Sequence, residues 1–285
     1  MKVLITGCNG QLGRSLQATA PTGTDLLCLG SAELDISQAE AVEQAIARHV
    51  PEVVINAAAY TAVDRAEQEE ERAFAINGAG TGFLANAARR HGARFVHVST
   101  DFVFDGTSGT PYRPDAPTQP RSVYGQSKLA GEQAAGDDAL IVRTAWVYAP
   151  DGGNFVRTML RLMGERPEVR VVADQIGTPT YAPALAEAIW RLIAADARGM
   201  HHYTDSGAAS WYDFAVAIQE EALAAGLLSQ QATIVPIATS DYPTPARRPS
   251  YSVLDKSATF AAIGGPAPHW RSNLRNMIAA IKAQG

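Results

Sequence analysis

Cysteine is scarce in this chain. Cys8 and Cys28 are the only two in 285 residues. Two thiols without C-x-x-C spacing exclude a disulfide framework and a thiolate metal centre, and they suit a reducing compartment. The six histidines form no H-x-x-x-H pair, so no metal ligand set is expected, and the adjacent His201 and His202 read as strand residues. No stretch of eighteen apolar residues occurs, which excludes a membrane-spanning helix. The first expected strand begins at Lys2, leaving no room for a secretory leader, so the expected setting is the cytoplasm. An excess of positive charge is also missing. The net charge of -5 argues against general nucleic-acid binding. Repeats and low-complexity tracts are absent as well. What remains is a soluble-type composition, 46% hydrophobic and 19% charged. The length suits one large α/β domain or a nucleotide-binding domain with a smaller second lobe.

The N-terminus carries the most informative pattern. An apolar run from Val3 to Ile5 breaks into glycines at Gly7, Gly10 and Gly13, and a helical pattern follows with Leu12, Leu16 and Ala20 at spacing four. Read as strand, turn and helix, this is a G-x-x-G-x-x-G dinucleotide loop. Gly7 permits the tight turn, Gly10 lets the backbone approach a pyrophosphate, and Gly13 lets the helix pack on the strand. The helix N-terminus then offers free N–H groups and a favourable dipole to phosphate.

Further along, short apolar runs alternate with helical stretches. The patterns predict strands at 3–6, 26–29, 53–56, 95–99 and 140–143. They predict helices at 12–19, 39–49, 69–77, 79–91 and 124–135. Alternating strands and helices indicate a Rossmann-type doubly wound α/β fold, a parallel sheet covered on both faces. Such sheets bind ligands beyond the carboxyl ends of their strands. After about residue 150 proline and glycine become frequent, with helices expected at 155–163, 183–195, 211–225 and 274–282. The expected division is therefore a dinucleotide-binding domain over 1–150 and a smaller, loop-rich substrate-binding lobe over 151–285, with exchange of chain back to the sheet.

Tyr124 and Lys128 sit at i and i+4, one turn apart on one helix face. A free tyrosine titrates near 10 and is a poor proton shuttle at neutral pH. A nearby ammonium and an oxidised nicotinamide would both stabilise its phenolate. The lysine can also donate to a ribose hydroxyl. Ser99, Thr100 and Asp101 end the fourth predicted strand, where a hydroxyl can donate to the same carbonyl oxygen that Tyr124 protonates.

With these residues in view, the chain resembles the extended short-chain dehydrogenase/reductase superfamily, and within it the dTDP-4-dehydrorhamnose reductase family. The carrying segments are NAAAYTAVDRAE at 56–67, STDFVFDG at 99–106, VYGQSKLAGE at 123–132, RTAWVYA at 143–149, DQIGTPT at 174–180 and YPTPARRP at 242–249. They span essentially the whole chain. The resemblance implies NAD(P)H-dependent reduction of a dTDP-linked 4-keto-6-deoxy sugar, the last step to dTDP-L-rhamnose. It makes Tyr124 the proton donor, Lys128 its partner and ribose anchor, and Thr100 a donor at the sugar C4 oxygen. Asp101 matches a position beside the substrate, and Trp146 an aromatic residue packing on the sugar or nucleotide. Gly10, Gln11 and Leu12 match the pyrophosphate loop, and Asp35 and Ile36 flank the adenine. Ala59, Tyr60 and Thr61 line the cofactor groove, with Val98 beneath it. Arg248 is a candidate for the substrate diphosphate, because a guanidinium suits bidentate phosphate contact; adjacent Arg247 is the alternative.

Two departures from relatives bear on the cofactor and on assembly. Where many carry an acidic residue at the end of the second strand, this chain reads Leu29-Gly30-Ser31. That removes a contact favouring NADH and a repulsion against the 2′-phosphate of NADPH. Ser31 and Arg14 are then expected to meet that phosphate, with NADPH preferred and NADH as the second cofactor. Some relatives form a magnesium-linked dimer through glutamates; here those positions read Ser15 and Pro183. A monomer or a metal-independent homodimer is expected. Other readings stay open on the sequence: a reductase or epimerase of another nucleotide-linked keto sugar, and a non-catalytic regulatory homologue.

Overall fold

The computed structural model describes residues 1–284. The chain starts with five βα-type strands: β1 (Lys2–Thr6), β2 (Asp25–Leu29), β3 (Val53–Asn56), β4 (Arg94–Thr100) and β5 (Leu140–Thr144). A sixth strand, Gly199–His202, comes from the C-terminal half and pairs with β5. All six run parallel, in the order Gly199–His202, β5, β4, β3, β1, β2. The winding direction reverses beside β1, the place where open parallel sheets leave a crevice for ligands.

Both faces of the sheet are covered, which is why its strands are apolar without a break. Successive side chains alternate between two cores. Val3 and Ile5 of β1 and Val53 and Ile55 of β3 point to one face. There they meet Leu16 of α1 (Gln11–Ala18). Leu4 and Val54 point to the other face, against Val42 and Ile46 of α2 (Ala39–His49). The first face is completed from the second half of the chain. Helix α8 (Ala182–Ala194) brings Leu185, Ile189 and Leu192 there, and its Trp190 indole donates to the Leu16 carbonyl at 3.1 Å. Residues 182–202 thus return to the sheet as a helix and an edge strand.

Between β3 and β4 the sequence pattern predicts two helices, at 69–77 and 79–91. The structure instead has α3 (Val63–Ala66) and then one continuous rod. Helix α4 (Glu70–Phe74) runs through a π-helical stretch, Ala75–Gly80, into α5 (Thr81–Arg90). The π turn puts Asn77 inward, where its amide bonds both ways to the Tyr60 backbone and donates to Ser127 Oγ at 3.0 Å. Helix α6 (Val123–Ala135) crosses this rod closely. A Cβ on Gly131 would collide with the Asn77 carbonyl, and one on Gly125 with the Phe102 carbonyl.

The remaining helices are α7 (Phe155–Glu165), α9 (Trp211–Ala225), α10 (Ser257–Ala262) and α11 (Trp270–Gln284). Val156, Met159, Phe214, Ile218, Leu274 and Met277 form a separate core from α7, α9 and α11. That core also takes Val169 and Val171 from the strand Glu168–Val172, which pairs with Thr233–Ile237. The lobe expected to be loop-rich therefore has a small sheet. Its signal was present as alternation, since Glu168 and Arg170 are exposed while Val169 and Val171 are buried.

The glycine loop is tightly packed on β1 and α1. A Cβ on Gly13 would lie 2.6 Å from Cys8 Cα and against the Gly7 carbonyl. Gly13→Ala should therefore lower stability by about 1–3 kcal/mol, the usual cost of overpacking. Urea unfolding of the two proteins measures it, and equal midpoints would show that α1 can lift off β1 freely.

Candidate active site

The carboxyl ends of β1, β3, β4 and β5 open into one cleft of ≈ 850 Å³. At one end lies the glycine loop. Gly7 has φ 65°, and a Cβ there would lie 2.6 Å from Ala58. Gly10 is the N-cap of α1 and no side chain caps the helix. The first N–H groups of α1 are thus free for an anion, beside cleft-lining Gly10, Gln11 and Leu12. Gly13 and Arg14 do not line the cleft. Gly13 acts through packing, and Arg14 Nε donates to the Asn9 carbonyl at 3.0 Å.

Beyond β2, Ser31, Asp35 and Ile36 line the same cleft. Hydrogen bonds from Ser37 hold the Asp35 carboxyl below its ordinary range. The strand end is not free of carboxylate, as the Leu29-Gly30-Ser31 reading implied. Glu33 folds back, and its Oε2 accepts the Gly30 N–H at 2.9 Å. A Cβ on Gly30 would lie 2.8 Å from that oxygen.

Ala59, Thr61 and Val98 line the middle of the cleft, but Tyr60 does not. Its ring packs with Ala66 and Ala73, and its hydroxyl donates to Glu69 at 2.9 Å. Tyr60, expected to line the cofactor groove, thus lies behind its wall in this structure. Its backbone is clamped by the Asn77 amide between cleft-lining Ala59 and Thr61.

Thr100, Asp101, Tyr124 and Lys128 meet at the centre. Thr100 ends β4 and caps a 3-10 turn, accepting the Phe102 N–H at 3.2 Å and donating to Asp101 Oδ1 at 3.0 Å. Burial pushes the Tyr124 phenol up to about 12; the Thr100 hydrogen bond opposes this and the Asp101 charge adds to it. Lys128 is 2% exposed, and burial brings its amine down to about 8. Its Nζ donates to the Val98 carbonyl at 2.7 Å and lies 3.3 Å from His97 Nε2. Lys128 is thus held by the main chain of β4, one helical turn from the Tyr124 phenol. The phenol keeps its proton, the form a reducing enzyme needs.

The far end is aromatic. Trp146 adopts φ 48°, a conformation uncommon for a side chain of its size. It stacks on Trp211 with ring centroids 3.5 Å apart and planes at 8°. Both rings line the cleft. Arg248 reaches it too, while Arg247 is exposed elsewhere. The Arg248 fork already grips Asp64, at 2.9 and 2.7 Å. Trp211 is a cleft residue that the sequence reading missed, and Glu33 a neighbour of cleft-lining Gly30. The capping box of Ser210 and Asp213 announces a helix start at Trp211, but nothing local shows that the start faces a cleft.

The residues fit a dinucleotide and a polar second ligand. Ser99 Oγ, Asp101 Oδ2 and Thr144 Oγ1 are buried without a hydrogen-bond partner, and all three residues line the cleft. A buried polar atom left unpaired costs about 1–3 kcal/mol, so a polar ligand that bonds these atoms would be favoured.

The family model for the RmlD substrate binding domain matches residues 1–283. The chain belongs to this family. It is 44% identical over 285 residues to the dTDP-4-dehydrorhamnose reductase of Burkholderia thailandensis, covering 95% of this chain and 96% of the relative. Among solved structures, a dTDP-4-dehydrorhamnose reductase from Clostridium acetobutylicum superposes with a TM-score of 0.94 at 39% identity, covering 99% of this chain and all of the other. The Bacillus anthracis dTDP-4-dehydrorhamnose reductase, solved in complex with NADP, gives 0.92 at 37% identity over 98% of this chain and 99% of the other. UDP-glucose 4-epimerase of Thermus thermophilus, at 20% identity and a TM-score of 0.84, shares the fold. Among the described residues no helix is long and apolar enough to cross a membrane.

Asp101 gives this site a pH signature. Burial pushes its carboxyl up to about 6 from an ordinary 3.8. The unfolded chain loses that proton first, so stability falls as pH rises from about 4 to 6 and stays lower above. Asp101→Asn should therefore raise stability at pH 8 by about 2–3 kcal/mol, with the gain vanishing below about pH 4. Denaturant unfolding at several pH values measures this, and a gain independent of pH would contradict it.

Proposed function

We propose that this chain reduces the C4 keto group of dTDP-4-dehydro-L-rhamnose to dTDP-L-rhamnose, using NADPH and, less well, NADH. The carrying observation is the meeting of a protonated tyrosine, a lysine and strand-end hydroxyls beside an uncapped glycine-loop helix in one cleft. Membership in the family supports the reading, as does the NADP held by the Bacillus anthracis relative. A reducing, cytoplasmic setting agrees with the free Cys8 and Cys28.

When bound, the cofactor supplies a hydride at its nicotinamide ring. Every other part of the reaction falls to the chain. Gly7 and Gly10 admit the pyrophosphate to the α1 N-terminus, and Lys128 holds a ribose hydroxyl. Thr100 orients the C4 oxygen, and Tyr124 gives it a proton. A sugar alkoxide is a stronger base than a phenolate, so the transfer runs downhill even from a phenol as weakly acidic as Tyr124. The paired rings of Trp146 and Trp211 form the platform for the sugar or base. Phe102, edge-on to Tyr124 at 5.4 Å, borders the place where the sugar would meet the phenol.

Proton transfer by a positioned acid contributes roughly a hundred- to ten-thousand-fold in rate. Tyr124→Phe should lower turnover within that range while leaving cofactor binding nearly intact, and Lys128→Met should weaken both together. Stopped-flow turnover and cofactor titration separate the two. Near-normal turnover without the phenol would remove Tyr124 from the mechanism, and unchanged cofactor affinity in Lys128→Met would remove the ribose role.

Cofactor choice is read from the β2 end. Arg14 is exposed and can leave the Asn9 carbonyl for a 2′-phosphate. A charged hydrogen bond contributes roughly 1.5–3 kcal/mol, about tenfold or more in discrimination. Arg14→Ala should cut kcat/KM for NADPH by that factor and spare NADH. Equal loss with both cofactors, or none, would assign the phosphate to Ser31 or to no side chain here.

A further inference from the structure

The contact between Lys128 and His97 carries more than packing. His97 lies on β4, fully buried, with Nε2 3.3 Å from Lys128 Nζ and Nδ1 3.2 Å from Asn56 Nδ2. Which nitrogen bears the proton is decided by Asn56, and two independent neighbours fix how Asn56 is turned. Its Oδ1 accepts the Ala58 N–H at 3.2 Å and the Thr6 hydroxyl at 2.7 Å. Its other terminus faces Thr81 Oγ1 at 3.3 Å. That hydroxyl spends its proton on the Asn77 carbonyl at 2.8 Å, so it can only accept. The terminus facing Thr81 and His97 is therefore the NH₂ group, a donor with no acceptor capacity.

His97 Nδ1 must then accept, and a neutral imidazole that accepts at Nδ1 carries its proton on Nε2. That N–H points at Lys128. An ammonium has only donors and would face it donor to donor, whereas an amine has a lone pair to receive it. We propose that His97 is a positioning residue that weakens the basicity of Lys128: Asn56 locks the imidazole as the Nε2–H tautomer, which can donate to Lys128 Nζ only when the lysine has lost its charge, while Nζ donates to the Val98 carbonyl.

The other ionisable groups around Lys128 are arranged consistently with this. Glu132, one turn further along α6, favours the ammonium. It is itself neutralised by Arg143 of β5, in a buried bidentate pair at 2.8 and 2.7 Å. Tyr124 on the same helix is a neutral phenol, and Asp101 lies beyond it. Burial holds His97 far below its ordinary range, and the charged form of Lys128 pushes it the same way, so no imidazolium forms. Neither the tautomer nor the lysine charge depends on what substrate the cleft takes. The catalytic consequence, a lysine that changes charge within the working pH range, rests on the reductase reading.

The test is NMR on the full chain. It has four lysines and six histidines, few enough to resolve by residue-specific labelling. Nitrogen-15 spectra of labelled histidine should show one imidazole fixed as the Nε2–H tautomer from pH 6 to 9, absent in His97→Gln. A carbon-13 titration of labelled lysine should show Lys128 losing charge far below Lys2 and Lys282. In His97→Gln, where an amide oxygen can accept from the ammonium, the Lys128 midpoint should rise by about one to two pH units. Asn56→Asp should raise it as well, because a carboxylate accepts from Nδ1–H and reverses the tautomer. An Nδ1–H tautomer or an imidazolium in the wild type, or a Lys128 midpoint unmoved in whichever variants fold, would overturn the proposal. Failure to turn over a keto sugar with these NMR results intact would remove the reductase reading alone.

Discussion

The site depends on how closely α6 can approach the end of the sheet. Tyr124 and Lys128 are one turn apart on that helix, and neither reaches the cleft unless the helix backbone nearly touches its neighbours. Gly125 against the Phe102 carbonyl and Gly131 against the Asn77 carbonyl make that approach. The π-helical stretch at Ala75–Gly80 is the other half of the fit, since it turns Asn77 to clamp Ser127 and the Tyr60 backbone at once. A regular helix there would present a different side chain to α6. Packing of main chain on main chain thus sets the positions of the reacting groups, and little is left to side-chain flexibility.

The same closeness sets the electrostatics. Burial is the first cause of the shifts at Tyr124, Lys128, Asp101 and His97. In each case it favours the uncharged form. The result is a centre that sets a neutral phenol, hydroxyls and a lysine of weakened basicity around the Asp101 carboxyl, with further buried charge kept in pairs such as Arg143 with Glu132. Such a centre gives a developing alkoxide a proton without first having to be neutralised itself. At the sheet ends, Ser99, Asp101 and Thr144 also present buried polar atoms to the cleft.

Most of the fold was legible because buried parallel strands read as continuous apolar runs. β1, β3 and β5 needed little more than Val-Leu-Ile, Val-Val-Ile and Leu-Ile-Val. The edge strand Gly199–His202 has no such run, and a π turn has no pattern distinct from a helix. At the site, glycines, Tyr124, Lys128 and the strand-end hydroxyls declare themselves because their chemistry requires fixed spacing. Orientation does not. Tyr60 lies next to cleft-lining Ala59 and Thr61 yet turns to Glu69, Arg14 follows the loop but bonds back to Asn9, and Glu33 restores a carboxylate to a strand end whose own residues lack one. Trp211 and His97 reach the site through long-range packing that no local signal records.

The central claim, that this chain moves a hydride to C4 of a nucleotide-linked keto sugar, is tested most directly with isotope. The purified chain would be given dTDP-4-dehydro-L-rhamnose and NADPH deuterated at the nicotinamide C4 position on the transferred face, with the product read by NMR. The account predicts dTDP-L-rhamnose bearing deuterium at sugar C4, in step with the NADPH consumed. Unconsumed NADPH, or a rearranged sugar without deuterium at C4, would contradict it.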